Sequence, residues 1–203
     1  MDAGDWDARY AAAELVWSVT PNQFVAAELA DLPPGRAVDL AAGEGRNAIW
    51  LASRGWDVTA VDFSQVALDK GRRLAESQDL TGSVSWMCAD ATTWTGDGAH
   101  DLVVLAYLQL PEGERRAAAR AAFAALRPGG TFLLVAHDSS NLAEGHGGPQ
   151  DPAVLMTADD VLDDLGGLPL EVARAGRVVR QIAQPDGSTA PAYDALVRLL
   201  RRG

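Results

Sequence analysis

The stretch Arg36–Ser64, RAVDLAAGEGRNAIWLASRGWDVTAVDFS, decides the fold. Arg36–Leu40 reads as a short buried strand, Ala41-Ala42-Gly43-Glu44-Gly45 as a tight turn, and Arg46 to about Arg54 as a helix. Gly55 follows, a residue suited to the left-handed position after a helix end. A second strand, Trp56–Val61, delivers Asp62 just beyond its carboxyl end. Glycines let the backbone approach a ligand, a helix N-terminus offers unpaired N–H groups, and an acid at that place accepts two ribose hydroxyls. The stretch is a nucleotide-type binding unit.

Around it, 203 residues with 48% hydrophobic and 22% charged side chains predict one globular domain with a substantial core. Within it, residues 1–35 would form a helical cap and residues 139–156 a lid or substrate loop. No apolar run reaches the length of a membrane span. The acidic start, Met1-Asp2-Ala3-Gly4-Asp5, differs from an export signal, and a single cysteine, Cys88, fits a reducing compartment, so a cytoplasmic protein is expected. One Cys and three scattered His give no metal-ligand spacing. A net charge of −11 repels phosphate backbones, which argues against nucleic acid. Arg115, Arg116 and Arg120 cluster along one helix and read as a solvated face.

In chain order, Asp5–Trp17 predicts a short helix carrying Trp6, Tyr10 and Trp17. Thr20-Pro21-Asn22-Gln23 reads as a capping box with proline at the first helical position, opening a helix to about Asp31. Beyond the opening stretch, Ser64 caps a helix over Gln65 to about Ser77, and Ser83–Cys88 is a third strand with Asp90 and Ala91 after it. Leu102–Leu105 is a fourth strand, with Ala106 at its end. A helix over Glu112–Leu126 and a fifth strand over Thr131–Ala136 follow, then His137. Thr157–Asp160 opens a last helix, to about Leu165. Leu170–Ala183 and Pro191–Leu200 pair as an antiparallel hairpin. Alternating strands and helices imply parallel strands with right-handed crossovers, hence a doubly wound sheet.

Gly43-Glu44-Gly45-Arg46-Asn47-Ala48 fits a dinucleotide fingerprint, with Asp62 lying 19 residues after Gly43. Two helices before the first strand, the terminal hairpin and the lack of a separate substrate domain argue against an NAD(P)-dependent oxidoreductase. Asp39-Leu40-Ala41-Ala42-Gly43-Glu44-Gly45, Asp62-Phe63, Asp90-Ala91 and Arg127-Pro128-Gly129-Gly130-Thr131 together resemble the motifs of class I S-adenosylmethionine-dependent methyltransferases. Trp6-Asp7-Ala8-Arg9-Tyr10, Trp17 and Gly45-Arg46-Asn47-Ala48 are most similar to small-molecule enzymes of the tellurite-resistance and thiopurine kind. The resemblance implies a Rossmann-like three-layer α/β/α sandwich with a mostly parallel seven-stranded sheet, order 3-2-1-4-5-7-6. S-Adenosyl-L-methionine is then the cofactor, S-adenosyl-L-homocysteine the product, and the chain a monomer or homodimer.

The resemblance also assigns residues. Asp39 would hold the cofactor's amino end, Ala41 and Gly43 lie against its methionine part, and Arg9 pairs with its carboxylate. Arg46 either reaches that carboxylate or faces solvent, and Trp17 is a candidate aromatic near the sulfonium. Asp62 takes the ribose, Phe63 an adenine face, Asp90 the adenine amino group with Ala91 supplying a backbone amide, and Ala106 is cofactor-binding. Ala41 stands where the family's first motif glycine stands, and is accommodated if its backbone avoids positive φ. His137 is the candidate catalytic base, with Tyr107 and His146 behind it; a soft anionic acceptor needs none. His100 reads as structural. A cofactor-binding protein without catalysis is the alternative.

Overall fold

The computed structural model describes residues 3–203 apart from Glu14 and Trp17, so the expectation for Trp17 lies outside the described residues. Among the described residues there are seven strands, β1 (Arg36–Leu40), β2 (Asp57–Asp62), β3 (Ser83–Cys88), β4 (His100–Ala106), β5 (Leu126–His137), β6 (Leu170–Ala183) and β7 (Thr189–Arg201). They form one sheet in the order β3-β2-β1-β4-β5-β7-β6. The first five run parallel, and β7 inserts antiparallel between β5 and β6. The expected order and hairpin are both present.

Side chains alternate across the strands and load the two faces differently. Val38, Leu40, Val103, Leu105, Phe132, Leu134, Val197 and Leu199 pack with α5 (Glu112–Ala124) and α7 (Ala158–Asp164). Ala37, Ala60, Leu102, Val104, Leu133, Val135 and Leu196 pack with α2 (Gln23–Leu29) and α3 (Arg46–Ser53). By the same parity Asp39, Asp62, His137, Val178, Arg180 and Asp194 belong to the α2/α3 face, at or near the carboxyl edge of the parallel strands. The polar residues of one edge thus converge because the apolar pattern leaves them no other side.

Local chemistry explains the helix starts. Ser64 Oγ accepts from Ala67 N at 3.2 Å to cap α4 (Gln65–Glu76). Thr157 and Asp160 form a reciprocal capping box on α7. The helix expected from Thr20-Pro21 begins later, at Gln23, because Asn22 is the cap: its Oδ1 accepts from Phe24 N at 2.8 Å and Val25 N at 3.2 Å. The first helix, α1 (Ala3–Ala11), is shorter than the expected Asp5–Trp17. The 139–156 segment holds a short helix α6 (Asn141–Glu144) and a 3-10 turn (Pro152–Val154), and a bridge between Asp138 and Met156 ties its ends together.

One expectation is corrected. Arg116 and Arg120 are exposed as expected, but Arg115 is not part of a solvated face: it is 8% exposed, and its Nε donates to Asp164 at 2.6 Å. Arg116 Nε donates to the same carboxylate at 3.1 Å, and Arg120 reaches the Asp164 carbonyl at 2.6 Å. These cations dock α5 onto α7, since a carboxylate 1% exposed there needs compensating donors. Among the described residues no helix is long and apolar enough to cross a membrane.

Candidate functional site

Among the described residues, two that are not glycine have left-handed backbones, Ala41 and Tyr107, each at φ 61°. They follow the neighbouring central strands β1 and β4, whose Leu40 and Leu105 are register partners. From this point the sheet grows outward in both directions, the crevice where open α/β sheets bind ligands. Strain of about 1–3 kcal/mol per residue persists only where surroundings over-determine it, and it clusters at functional sites. Ala41 therefore does not avoid positive φ as expected. Its methyl is tolerated at a cost while Gly43 (φ 56°) and Gly45 (φ 74°) continue the turn.

Asp39 is 1% exposed at the end of β1. Its Oδ2 accepts from Ala48 N at 3.1 Å, whereas Oδ1 is buried without a hydrogen-bond partner. Burial pushes its carboxyl up to about 7, against the pull of the Ala48 amide and the Arg46 charge. Arg46, at the first turn of α3, is itself held below the usual guanidinium range by burial, among the polar groups of Asp39, Tyr107, Tyr10 and Arg180. Asp62 is 7% exposed and clamps the turn: Oδ2 accepts from Gly43 N at 2.8 Å and Oδ1 from Ser64 N at 2.9 Å. Burial raises its carboxyl as well. Each of its oxygens keeps a second lone pair for a ligand. Phe63 follows it, half-buried.

Asp90 is exposed beyond β3, where Oδ1 accepts from the amide and hydroxyl of Thr92 at 2.8 and 2.7 Å. Ala91 beside it is buried, and Ala106 ends β4 half-buried. Arg9 is an exposed residue of α1 with its guanidinium 4.9 Å from the Trp6 ring centre, so the cation buried beside Asp39 is Arg46.

The N-terminal segment is strapped over this edge by residues that sequence reasoning missed. Lys70 Nζ donates to the carbonyls of Tyr10 and Ala13 and lies 3.5 Å from Glu44 Oε1. The Glu44 carboxylate, 3% exposed, accepts from Val16 N at 3.1 and 3.2 Å. Ser64 Oγ donates to Asp7.

A second polar group stands on the β4–β5–β7–β6 side. Asp194, fully buried on β7, accepts from the Tyr107 hydroxyl at 2.8 Å and from Arg180 Nε at 2.7 Å, both on Oδ2. Burial, then the Asp194 charge, push the Tyr107 phenol well above its ordinary range. Its proton is thus committed to Asp194 and Tyr107 is no base, correcting the lesser candidacy given to it. His137 lies 4.8 Å from the Tyr107 ring centre to centre, with Nδ1 3.3 Å from Asp194 Oδ1. His146 is exposed on the loop. His100 is buried at the start of β4, its Nδ1 3.1 Å from the Ala125 carbonyl, as a structural residue. Asp194 and Arg180 escaped notice in the sequence. The available signal was an acid interrupting the apolar run of Pro191–Leu200.

Residues 37–130 match a family described as a methyltransferase domain. The chain is 23% identical over 171 residues to thiocyanate methyltransferase 1 of Brassica oleracea, covering 82% of this chain and 74% of that protein. It is 32% identical over 120 residues to demethylmenaquinone methyltransferase of Clavibacter sepedonicus, covering 59% of this chain and spanning 46% of that relative's length. Its fold superposes with a TM-score of 0.75 on the N-methyltransferase NodS of Bradyrhizobium japonicum WM9 in complex with S-adenosyl-L-homocysteine, at 17% identity and 100% coverage of both chains. With the sheet order and the acids at the ends of β1 and β2, these likenesses give residues 37–130 the pattern of a methyltransferase domain and the chain a fold shared with S-adenosylmethionine-dependent methyltransferases.

Proposed function

We propose that this chain transfers a methyl group from S-adenosylmethionine to a small-molecule acceptor. The observation that carries the reading is the unpartnered, buried Oδ1 of Asp39 beside Arg46 at the carboxyl end of β1. A carboxylate oxygen and a guanidinium side by side are the complement of the cofactor's ammonium and carboxylate, and a buried acceptor left unmade costs about 1–3 kcal/mol. Asp39 would hold the ammonium, Arg46 the carboxylate, Asp62 the ribose hydroxyls, and Phe63, Asp90, Ala91 and Ala106 the adenine and the cleft. Ala41 and Gly43 bring the turn backbone close to the methionine chain. Arg9 and the N-terminal strap cover the donor.

Bound S-adenosylmethionine supplies an electrophilic methyl whose C–S bonding pair stays on sulfur as S-adenosylhomocysteine forms. The protein contributes alignment and exclusion of water. His137 takes the acceptor's proton at Nε2 as the acceptor's lone pair becomes the new bond to carbon, and later releases that proton to water. Tyr107 and the 139–156 loop would wall the acceptor side. The NodS and thiocyanate relatives make small acceptors the first class to screen, and the strapped crevice favours a compact one.

The test is a calorimetric titration with S-adenosylhomocysteine, paired with a methyl-transfer screen over thiols, phenols, amines and small anions. Asp62→Ala is expected to weaken cofactor binding by about 1–3 kcal/mol, roughly 5- to 150-fold, through lost ribose bonds and a loosened turn. Unchanged affinity in that variant, with its fold intact, would overturn the assignment.

A further inference from the structure

His137 and Asp194 are direct register partners on antiparallel β5 and β7, so their side chains stand on the same face of the sheet. Asp194 is fully buried, and its two oxygens are treated unequally. Oδ2 takes the Tyr107 hydroxyl and Arg180 Nε, while Oδ1 has no hydrogen-bond partner, with His137 Nδ1 only 3.3 Å away. A buried carboxylate oxygen without a donor is costly, and the imidazole nitrogen is the donor within reach.

A competing arrangement exists at the same nitrogen. Arg180 Nη2 lies 3.4 Å from His137 Nδ1 and could donate to it, which would put the ring proton on Nε2 and disable the base. The two arrangements differ in what they leave unpaired. If Arg180 takes Nδ1, Asp194 Oδ1 stays orphaned in the interior. If Asp194 Oδ1 accepts from Nδ1–H, Arg180 keeps its Nε bond, and its side chain, 20% exposed, can reach solvent with Nη2. With a small turn of the ring that points Nδ1–H at Oδ1, the second leaves neither oxygen of Asp194 unsatisfied, so it is favoured.

The ring is also held from its faces. Tyr107 packs at 4.8 Å, and the backbone at Gly148 comes so close that an added Cβ there would lie 3.0 Å from Nδ1. Gln109 Oε1 accepts the His137 backbone N–H at 3.0 Å, fixing the strand end that carries the ring.

We propose that Asp194 is a positioning residue for His137: its Oδ1 accepts a hydrogen bond from Nδ1–H, holding the ring proton on Nδ1, and so presents an unprotonated Nε2 to an acceptor that has a proton to lose. The inference rests on reading His137 as the base, and it deepens that reading by selecting O–H, N–H or S–H acceptors over preformed anions such as thiocyanate.

The experiment uses full-length protein labelled with 15N-histidine. The chain has three histidines, so His137 is assigned by loss of its signals in His137→Gln. Two-bond proton–nitrogen spectra of the neutral ring are expected to show the Nδ1–H tautomer in the wild type and its loss in Asp194→Asn. An Nε2–H tautomer in the wild type overturns the proposal whatever the variants do. Should Asp194→Asn fail to bind S-adenosylhomocysteine, the double variant Arg180→Met/Asp194→Asn removes both charges, and the tautomer is read there instead.

With an acceptor from the screen, Asp194→Asn is expected to lower kcat by about 10- to 100-fold, with KM for S-adenosylmethionine unchanged within about twofold. In a His137→Gln background it is expected to lower it no further. Full turnover in His137→Gln sinks the base reading, and this role with it. Loss of turnover in His137→Gln with normal turnover in Asp194→Asn sinks the positioning role alone.

Discussion

At the scale of single residues, the crevice holds groups under stress. Ala41 at φ 61° occupies a backbone conformation that costs an L-residue about 1–2 kcal/mol and a glycine nothing. Glycine in turn loses more chain entropy on folding, so Ala41→Gly is expected to stabilise the fold by only about 0.5–1 kcal/mol, read by urea denaturation; a loss of stability would show that the strain is not real. Asp39, with its carboxyl pushed up to about 7, makes a second prediction. The folded chain keeps a proton there that the unfolded chain has lost above pH 3.8, so this group makes stability fall as pH rises from 3.8 toward about 7. A bound ammonium favours the ionised form. Cofactor affinity should therefore rise, by up to about tenfold, over the pH unit below 7, with a proton released on binding. Calorimetry in buffers of different ionisation enthalpy measures that proton, and Asp39→Asn should abolish its release. Binding without proton release in the wild type would remove Asp39 from the ammonium site.

At the scale of elements, close approach decides more than propensity. The Trp86 ring on β3 fills the space between Gly45, at the turn before α3, and Gly71 in α4. A Cβ added at Gly71 would fall 2.5 Å from that ring and 2.7 Å from the Glu44 carbonyl. Alanine in a helix is worth about 1 kcal/mol over glycine. Here overpacking against an aromatic ring and a backbone oxygen costs about 1–3 kcal/mol, so Gly71→Ala is expected to destabilise by up to about 2 kcal/mol in chemical denaturation. A stabilised variant would mean that Trp86 can move aside. The same wedge explains why Gly45 has two reasons to be glycine, its φ of 74° and the ring 2.4 Å from where a Cβ would stand.

At the scale of the whole molecule, one half-buried lysine on α4 ties the start of the chain to the rest of the fold. Lys70 and Glu44 between them bind the backbone of Tyr10, Ala13 and Val16, fastening the end of α1 to α4 and to the turn after β1. Such a strap can open locally without global unfolding. Lys70→Met is expected to speed amide exchange in residues 10–16 while the melting temperature moves by no more than about 2 °C. Cofactor dissociation should accelerate in step. Unaltered exchange across residues 10–16 would rule the strap out.

Whereas the order of the strands came from the family resemblance, the strands themselves, the turn after β1, the acids Asp39, Asp62 and Asp90, and the terminal hairpin were all legible in the sequence. They are set by local signals: apolar runs of strand length, glycines where the chain turns, and an acid at the carboxyl end of a strand. Even the parity that sends Asp39 to the α2/α3 face follows from alternation within one strand. What tertiary structure alone decided is pairing between distant residues. Asp194 meets Tyr107 across 87 residues of chain and His137 through the register of β5 on β7. Arg115 finds Asp164 across 49 residues, which turned an apparent surface patch into a helix joint. The conformation of Ala41 was likewise undecidable locally, because whether a methyl is tolerated at positive φ depends on the clamp that Asp62 applies to Gly43 from the neighbouring strand. Periodicity and turn chemistry act over a few residues and can be read from the chain. The partner of a buried charge is chosen by the register and crossover of whole strands, and becomes visible only once they are folded together.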